Sequence, residues 1–270
     1  MKHLRIMLIP LSLALLCSFG SEELQAKNKW KPANVELQDC SMVRLTYTAY
    51  ETDLMAVLPE GYTPNPPPVP AWIIPGVVYV MVDITQCENI RIGEDWDVGG
   101  GTLYHEFLPF GVTAPDGESG VWGFPAAHTN PLAREAIQKA GMPCRPARDL
   151  WVEIQLDLDQ GTVEGATLTD NLKPFGPNLF ASFGGPVQIG QTQPPGTTFP
   201  PQFHPWKGGV TKLTWTVTSE CNYYFAPAPT ILEHNDNFAL PVIEMQSFPP
   251  FGGRVQLLAG GAGMLVEPLE

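Results

Sequence analysis

The chain has 270 residues, a formal net charge of -13 and no basic cluster, which excludes nucleic-acid binding as a function class. Only 16% of the residues are charged, and 26 glycines and 29 prolines exclude long helices and predict frequent turns. The length is normal for one β-rich domain with a substantial core.

The first 20 residues have the pattern of an export signal. Lys2 and Arg5 precede an apolar stretch, 8–17, that is too short to span a bilayer. Small residues permit cleavage after Gly20 or as late as residue 26. We therefore predict a signal peptide over 1–20, with a lipid anchor on Cys17 as the alternative. The mature chain is expected to be secreted or periplasmic, without a membrane span.

An N-terminal tether is predicted over 27–42, followed by one domain over 43–270. Alternating apolar and polar residues predict a strand over 43–50, and a short helix is expected over 54–58. Apolar or alternating runs predict further strands over 72–84, 102–113, 120–127, 212–218 and 254–266.

The clearest helix is predicted over 131–140. Asn130 is a favourable N-cap, Pro131 fits the first helical position, and Gly141 fits the position after the last turn. After it, alternation over 150–158 and 162–169 predicts a hairpin. Residues 184–209 are rich in proline and glycine and are expected to form a long excursion.

Four cysteines remain after signal cleavage: Cys40, Cys87, Cys144 and Cys221. An even number in an exported chain predicts two disulfides, with three connectivities open. The wide spacing has no C-x-x-C pair and the histidines are scattered, so neither a metal nor a cofactor is predicted.

Several motifs occur in the order seen in the acetoacetate decarboxylase superfamily. The segments are Tyr50-Glu51-Thr52-Asp53 with Pro59, Tyr104-His105-Glu106, Arg134-Glu135 with Gly141-Met142-Pro143, and Leu240-Pro241-Val242-Ile243-Glu244. The chain resembles that family over about residues 43–268. The resemblance implies a mainly β (α+β) fold, with a curved, antiparallel, barrel-like sheet that encloses a cavity and a few short helices.

The family decarboxylates β-keto acids through a lysine Schiff base, so the resemblance also implies a lyase. Aligned on Pro143, the two family lysines fall on Cys144 and Arg145, and neither side chain forms that iminium. Lys139 is the one lysine close to the motif. Its alternative role is a surface pair with Glu135, four residues earlier.

Seven residues are candidates for the site. Glu106 is the expected acid or base, and Cys144 and Arg145 occupy the lysine positions, while the expected substrate contacts are Tyr104, Arg134, Glu135 and Glu244. Alternatives stay open for four of them. Arg134 and Arg145 otherwise pair with Asp149 and Glu135. Glu106 is otherwise a solvated residue on a strand face, and Cys144 is otherwise half of a disulfide.

Three functions follow from these residues. The first is an exported acetoacetate-decarboxylase-like protein that binds a small organic acid or ketone without the lysine Schiff base, with transformation of this ligand left open. The second is a non-catalytic binding module on the same fold. The third is a Schiff-base decarboxylase that uses Lys139. Because the family often assembles into oligomers, the resemblance leaves a homo-oligomer open.

Overall fold

A computed structural model describes residues 32–66, 74–93, 96–170, 177–206, 209–227, 229–235, 237–245 and 255–268. Within these ranges the chain forms two short helices and seventeen strands, which confirms the predicted mainly β fold. No helix in these ranges is long and apolar enough to cross a membrane. The predicted signal peptide lies outside the described residues.

The helices are α1 (Glu51–Val57) and α2 (Pro131–Lys139). The first nine strands are β1 (Ala33–Tyr50), β2 (Thr63–Pro64), β3 (Val77–Ile92), β4 (Trp96–Asp97), β5 (Gly101–Thr113), β6 (Ser119–Gly123), β7 (Ala126–His128), β8 (Cys144–Pro146) and β9 (Asp149–Asp157). The others are β10 (Thr162–Asp170), β11 (Leu179–Pro186), β12 (Gln188–Gln193), β13 (Gln202–Trp206), β14 (Gly209–Ala226), β15 (Thr230–His234), β16 (Glu244–Met245) and β17 (Val255–Pro268).

Seven strands of the large sheet close into a ring. The order is β3-β1-β17-β14-β13-β6-β5, and β5 pairs back onto β3. All neighbours in the ring are antiparallel except β13 and β6, which run parallel. Since side chains alternate across a strand, each ring strand has one face towards the interior of the ring and one towards its outside.

A second sheet of four strands, β15-β11-β10-β9, contributes to the core outside the ring. Val152, Val163 and Phe183 of this sheet belong to the same buried cluster as Tyr47, Val82 and other residues of the ring strands. This cluster is the larger of the two cores.

The second core lies on the other face of the ring strands, under helix α2. Ala133 and Ile137 of α2 pack there with Leu37, Leu103 and other interior residues. The helix begins as predicted: the side chain of Asn130 accepts hydrogen bonds from the backbone N–H groups of Leu132 and Ala133. Gly141 has φ 94°, a conformation that favours glycine after a helix.

The single strand predicted over 120–127 is two strands, β6 and β7, and two further segments also differ from the sequence-based expectation. Strand β1 begins at Ala33, so residues 33–42 of the predicted tether form a strand whose Val35 and Leu37 are buried. The excursion over 184–209 contains β12 and β13, which gain their hydrogen bonds from β14 and β6. The partners of β1 and β12 lie far away in the sequence, whereas β13 forms a hairpin with β14 and also pairs with the distant β6.

Candidate functional site

Glu106 lies on the outer face of β5, and its carboxylate is buried with 3% of the residue exposed. The Tyr104 hydroxyl donates to its Oε1 at 2.5 Å, and the Tyr47 hydroxyl donates to its Oε2 at 2.6 Å. The backbone N–H of Ala239 also donates to Oε2, at 2.9 Å. The interpretation of Glu106 as a solvated residue is therefore wrong. We call Glu106, Tyr47 and Tyr104 the Glu106 cluster.

Burial decides the protonation behaviour of this cluster. Desolvation raises the pKa of Glu106 above its ordinary value of 4.5, although the three hydrogen bonds oppose this shift. Desolvation and the nearby carboxylate raise the pKa of Tyr47 and of Tyr104 well above 10. Both phenols therefore stay protonated at neutral pH and act as donors to a carboxyl group whose pKa burial raises.

The segment around residues 238–240 covers the Glu106 cluster. Phe238 packs against the Tyr47 ring with centroids 4.9 Å apart, and the Leu240 N–H donates to the Tyr47 hydroxyl at 3.4 Å. With the Ala239 contact, these bonds exclude water from the carboxyl group. Tyr47 and Ala239 were missed by sequence reasoning because they lie 59 and 133 residues from Glu106.

Arg145 and Cys144 extend from neighbouring positions of β8 to opposite faces of the sheet. In register, Tyr104 pairs with Ala127, and Ala127 pairs with Arg145. Since residues in register share a face, Arg145 lies on the same face as Tyr104 and Glu106, two strands away.

Cys144 instead belongs to the core under α2. Its thiol is free, 1% of the residue is exposed, and burial raises its pKa to about 12. The prediction of a disulfide at Cys144 is wrong, since Cys40 pairs with Cys87 and Cys221 is also a free thiol. A thiol with so high a pKa is a poor nucleophile at neutral pH.

Helix α2 keeps its charged residues away from the Glu106 cluster. Lys139 forms the predicted surface pair with Glu135, with Nζ 2.6 Å from Oε1 and side chains that are 73% and 55% exposed. Arg134 lies on the same helix, where its charge acts on His128 and Cys144. The structure therefore does not bring Arg134 or Glu135 together with Glu106.

Glu244 is also separate from this cluster. Its backbone carbonyl accepts a hydrogen bond from Thr48 Oγ1 at 3.3 Å, and its side chain is exposed. In the pairing of β16 with β1, Glu244 is opposite Thr48 and Met245 is opposite Tyr47. The residue of this segment that packs beside Tyr47 is therefore Met245.

A cavity of about 190 Å³ lies on the interior face of the ring, and all seven ring strands contribute to its wall. We call it the ring cavity. Its polar residues are Arg44, Asp83, Thr85, His105, Gln202 and Tyr223. His105 faces this cavity because it alternates with Glu106 on β5. Alternation could have placed His105 there, but no sequence motif connects it with the other five residues.

The described ranges hold no group of three or more His, Cys, Asp or Glu residues suited to a metal ion. Neither a protein-family model nor a curated protein matches the sequence. Among solved structures, the chain is similar to acetoacetate decarboxylase from Legionella pneumophila, with 13% identity, a TM-score of 0.50 and 87% of each chain covered.

A second solved acetoacetate decarboxylase is 13% identical, with a TM-score of 0.51 and 87% and 86% of the two chains covered. An acetoacetate decarboxylase-like enzyme from Sphingomonas wittichii is also 13% identical, with a TM-score of 0.45 and 94% and 98% covered. The two decarboxylases have the same fold as this chain, which confirms the predicted resemblance at the level of fold.

Proposed function

We propose that this chain is an exported acetoacetate-decarboxylase-like protein that binds and transforms a small organic acid or ketone without a lysine Schiff base. The observation that carries the proposal is the Glu106 cluster. It combines a buried carboxyl group of raised pKa with two protonated phenols, on the sheet face that also bears Arg145. Such a group is suited to proton transfer at a carbonyl compound.

Each residue has a distinct role in this proposal. Glu106 exchanges a proton with the carbonyl oxygen or the adjacent carbon of the ligand, and Tyr47 and Tyr104 hold the carboxyl group in place. Arg145 holds a ligand carboxylate through its guanidinium group. For the ligand to reach Glu106, the segment around Ala239 has to move away and release its hydrogen bond to Oε2.

The lysine positions support chemistry without an iminium. Two lysines lie in the described residues, and neither is near the Glu106 cluster. Lys139 pairs with Glu135 on the surface, and Lys212 pairs with Glu118 at 2.7 Å. A Schiff-base lysine needs a neutral amine, which a desolvated pocket or a neighbouring cation provides. An amine that is 73% exposed and paired with a carboxylate, as in Lys139, has neither.

The decisive experiment compares turnover of β-keto acids and related carbonyl compounds by the wild type and by Glu106→Gln. Loss of the proton should lower kcat by about 100-fold or more, the usual range for general acid–base catalysis. Glu164→Gln, on an exposed position of β10, is the matched control and should keep full activity. Unchanged turnover in Glu106→Gln would refute the acid–base role.

A non-catalytic binding module is the second candidate, and the saturation of the carboxyl group favours it. Both oxygens of Glu106 already have protein donors, as expected of a structural hydrogen-bond centre. This candidate predicts that the wild type binds a keto acid but converts none in the panel. Measured conversion of any compound, abolished in Glu106→Gln, excludes it.

The proposal of export has its own test. The Cys40–Cys87 disulfide is compatible with an oxidising compartment. Expression with the native N-terminus in a bacterial host, followed by intact mass, should give a mature chain that begins after Gly20 or as late as residue 27. An intact N-terminus on all of the protein would contradict it.

A further inference from the structure

The ring cavity is a second binding site, separate from the Glu106 cluster. We propose that it binds one small uncharged ring compound that carries a hydroxyl group, of the phenol class. The inference does not depend on the function proposed for Glu106, because the two sites lie on opposite faces of β5. It follows from the size of the cavity, its charge and its unpaired polar atoms.

The volume selects the size of the ligand. An apolar cavity of about 150 Å³ holds benzene, so 190 Å³ fits a six-membered ring with one or two substituent atoms. Aromatic and apolar side chains make up most of the wall, among them Met42, Phe107, Phe199, Trp215 and Val217. A wall of this kind favours a flat, mainly apolar body.

The charges of the wall cancel each other. Arg44 forms two parallel hydrogen bonds to Asp83, Nε to Oδ1 at 2.6 Å and Nη2 to Oδ2 at 2.7 Å. The guanidinium group also lies 5.2 Å from the centre of the Phe107 ring. His105 is neutral, because desolvation and the charge of Arg44 lower its pKa to about 3. An ionised ligand would have no unpaired counter-charge here, so the cavity favours a neutral one.

Two buried polar atoms mark where the hydroxyl group binds. His105 Nε2 and Gln202 Oε1 both belong to residues of the cavity wall, and neither has a hydrogen-bond partner among the described residues. These residues are only 3% and 9% exposed. A buried polar atom without a partner is unfavourable by about 1–3 kcal/mol, so a ligand that supplies the bond is stabilised.

Two neighbouring rings pack against the His105 ring. The His105 ring stacks on Phe107 at 5.3 Å with an angle of 18°, and it lies 5.1 Å from the ring of His204. Gln202 Oε1 is a hydrogen-bond acceptor, so it needs a ligand group that donates a hydrogen bond, and a hydroxyl group does so. Neutral His105 has one nitrogen that donates and one that accepts, so its Nε2 bonds to a hydroxyl group in either tautomer.

Titration calorimetry and mapping by NMR test the proposal with phenol, benzene and benzoate as probes. Phenol should bind with 1:1 stoichiometry and perturb Trp215 and Val217. Benzoate at pH 7 should bind at least about tenfold more weakly, because its charge is uncompensated in the cavity. Benzene should bind about fivefold more weakly than phenol, because it lacks the hydrogen bond. Equal or tighter binding of benzoate in the ring cavity, followed through the shifts of Trp215 and Val217, would overturn the proposal, as would phenol shifts confined to other residues.

Gln202→Leu provides a second test, with Gln191→Leu on the exposed part of β12 as its control. Gln202→Leu should weaken phenol binding about fivefold and leave the free protein as stable as the wild type or more stable, since it removes an unpaired acceptor. Unchanged phenol binding would refute the role of Gln202, and so would clear destabilisation, which would show that Oε1 already has a partner. The wild-type comparison of the three probes stands even if the variant fails to fold.

Discussion

The Glu106 cluster predicts a defined order of stability losses. In Tyr47→Phe, Glu106 Oε2 loses a donor at 2.6 Å and the Leu240 N–H loses its acceptor. A hydrogen bond to a charged group contributes about 1.5–3 kcal/mol, so we expect that loss in the free energy of unfolding when Glu106 is ionised. Tyr62→Phe is the control, because the buried Tyr62 ring packs against Trp122 and Phe203 and phenylalanine keeps these ring contacts. It should change stability by less than about 0.5 kcal/mol.

Replacement of Glu106 itself extends this series. Glu106→Leu leaves three buried donors without an acceptor, those of Tyr47, Tyr104 and Ala239. At about 1–3 kcal/mol each, the loss is about 3–9 kcal/mol. Glu106→Gln keeps one oxygen for two of these donors and should lose only about 1–3 kcal/mol.

The pH dependence of Tyr47→Phe has a definite sign. The folded-state pKa of Glu106 is above its ordinary 4.5, so its contribution to stability is present below pH 4.5 and lost as the pH rises through the folded pKa. The Tyr47 bond lowers that pKa, so its removal raises the pKa further and should destabilise more at pH 8 than at pH 4. Urea unfolding at both values measures this difference. An equal loss at both values, or a loss in Glu106→Gln as large as in Glu106→Leu, would refute the account.

The remaining predictions concern other parts of the fold. The folded-state pKa of His105 is about 3, so its contribution to stability should be full above pH 6.5 and fall by about 1.4 kcal/mol per pH unit below it; urea unfolding at pH 7, 6 and 5 should show a slope smaller by about this amount in His105→Gln, while buried His128 and His204 keep their own contributions. Serine at both Cys40 and Cys87 should lower the free energy of unfolding by about 4 kcal/mol, because the disulfide closes a loop of 47 residues; a loss below 1 kcal/mol would contradict this. Cys144 should react with a thiol reagent only after denaturation, and rapid labelling of the native protein would contradict its burial. Asn130→Ala should lower the free energy of unfolding by at least about 1 kcal/mol, because it removes the acceptor of the Leu132 and Ala133 N–H groups and the Nδ2 bonds to the carbonyls of residues 98 and 100; unchanged stability would contradict the cap.

Local signals account for the parts of the fold that the sequence predicted well. Helix α2 was expected over 131–140 and is Pro131–Lys139, because its cap and its terminating glycine act within a few residues. The hairpin was expected over 150–158 and 162–169, and the strands are Asp149–Asp157 and Thr162–Asp170. Here alternation and a short turn over 158–161 carry the information.

Long-range pairing accounts for what the sequence did not predict. The start of β1 contains Asp39 with φ 50°, at an irregularity that interrupts the alternation, so its strand character depends on β3 and β17. The sequence left three disulfide connectivities open for the four cysteines. It could not select the correct one, because Cys40 and Cys87 meet only in the register of β1 with β3.

In the candidate site, too, local patterns placed some residues, and long-range pairing placed the others. The alternation of β5 correctly placed Tyr104 and Glu106 on one face, where they share a hydrogen bond. Tyr47 and Ala239 reach Glu106 only through the closure of the ring and the position of the 237–240 segment. The ring cavity needs all seven strands, so its polar residues could not be grouped from the sequence.

Borohydride trapping is the most direct test of the claim that this protein works without a lysine iminium. The full chain is incubated with acetoacetate and sodium borohydride, and its intact mass is compared with that of a solved acetoacetate decarboxylase treated in the same way. We expect the decarboxylase to gain a reduced adduct and this protein to keep its mass. A stoichiometric adduct that maps to any lysine of this chain would contradict the account.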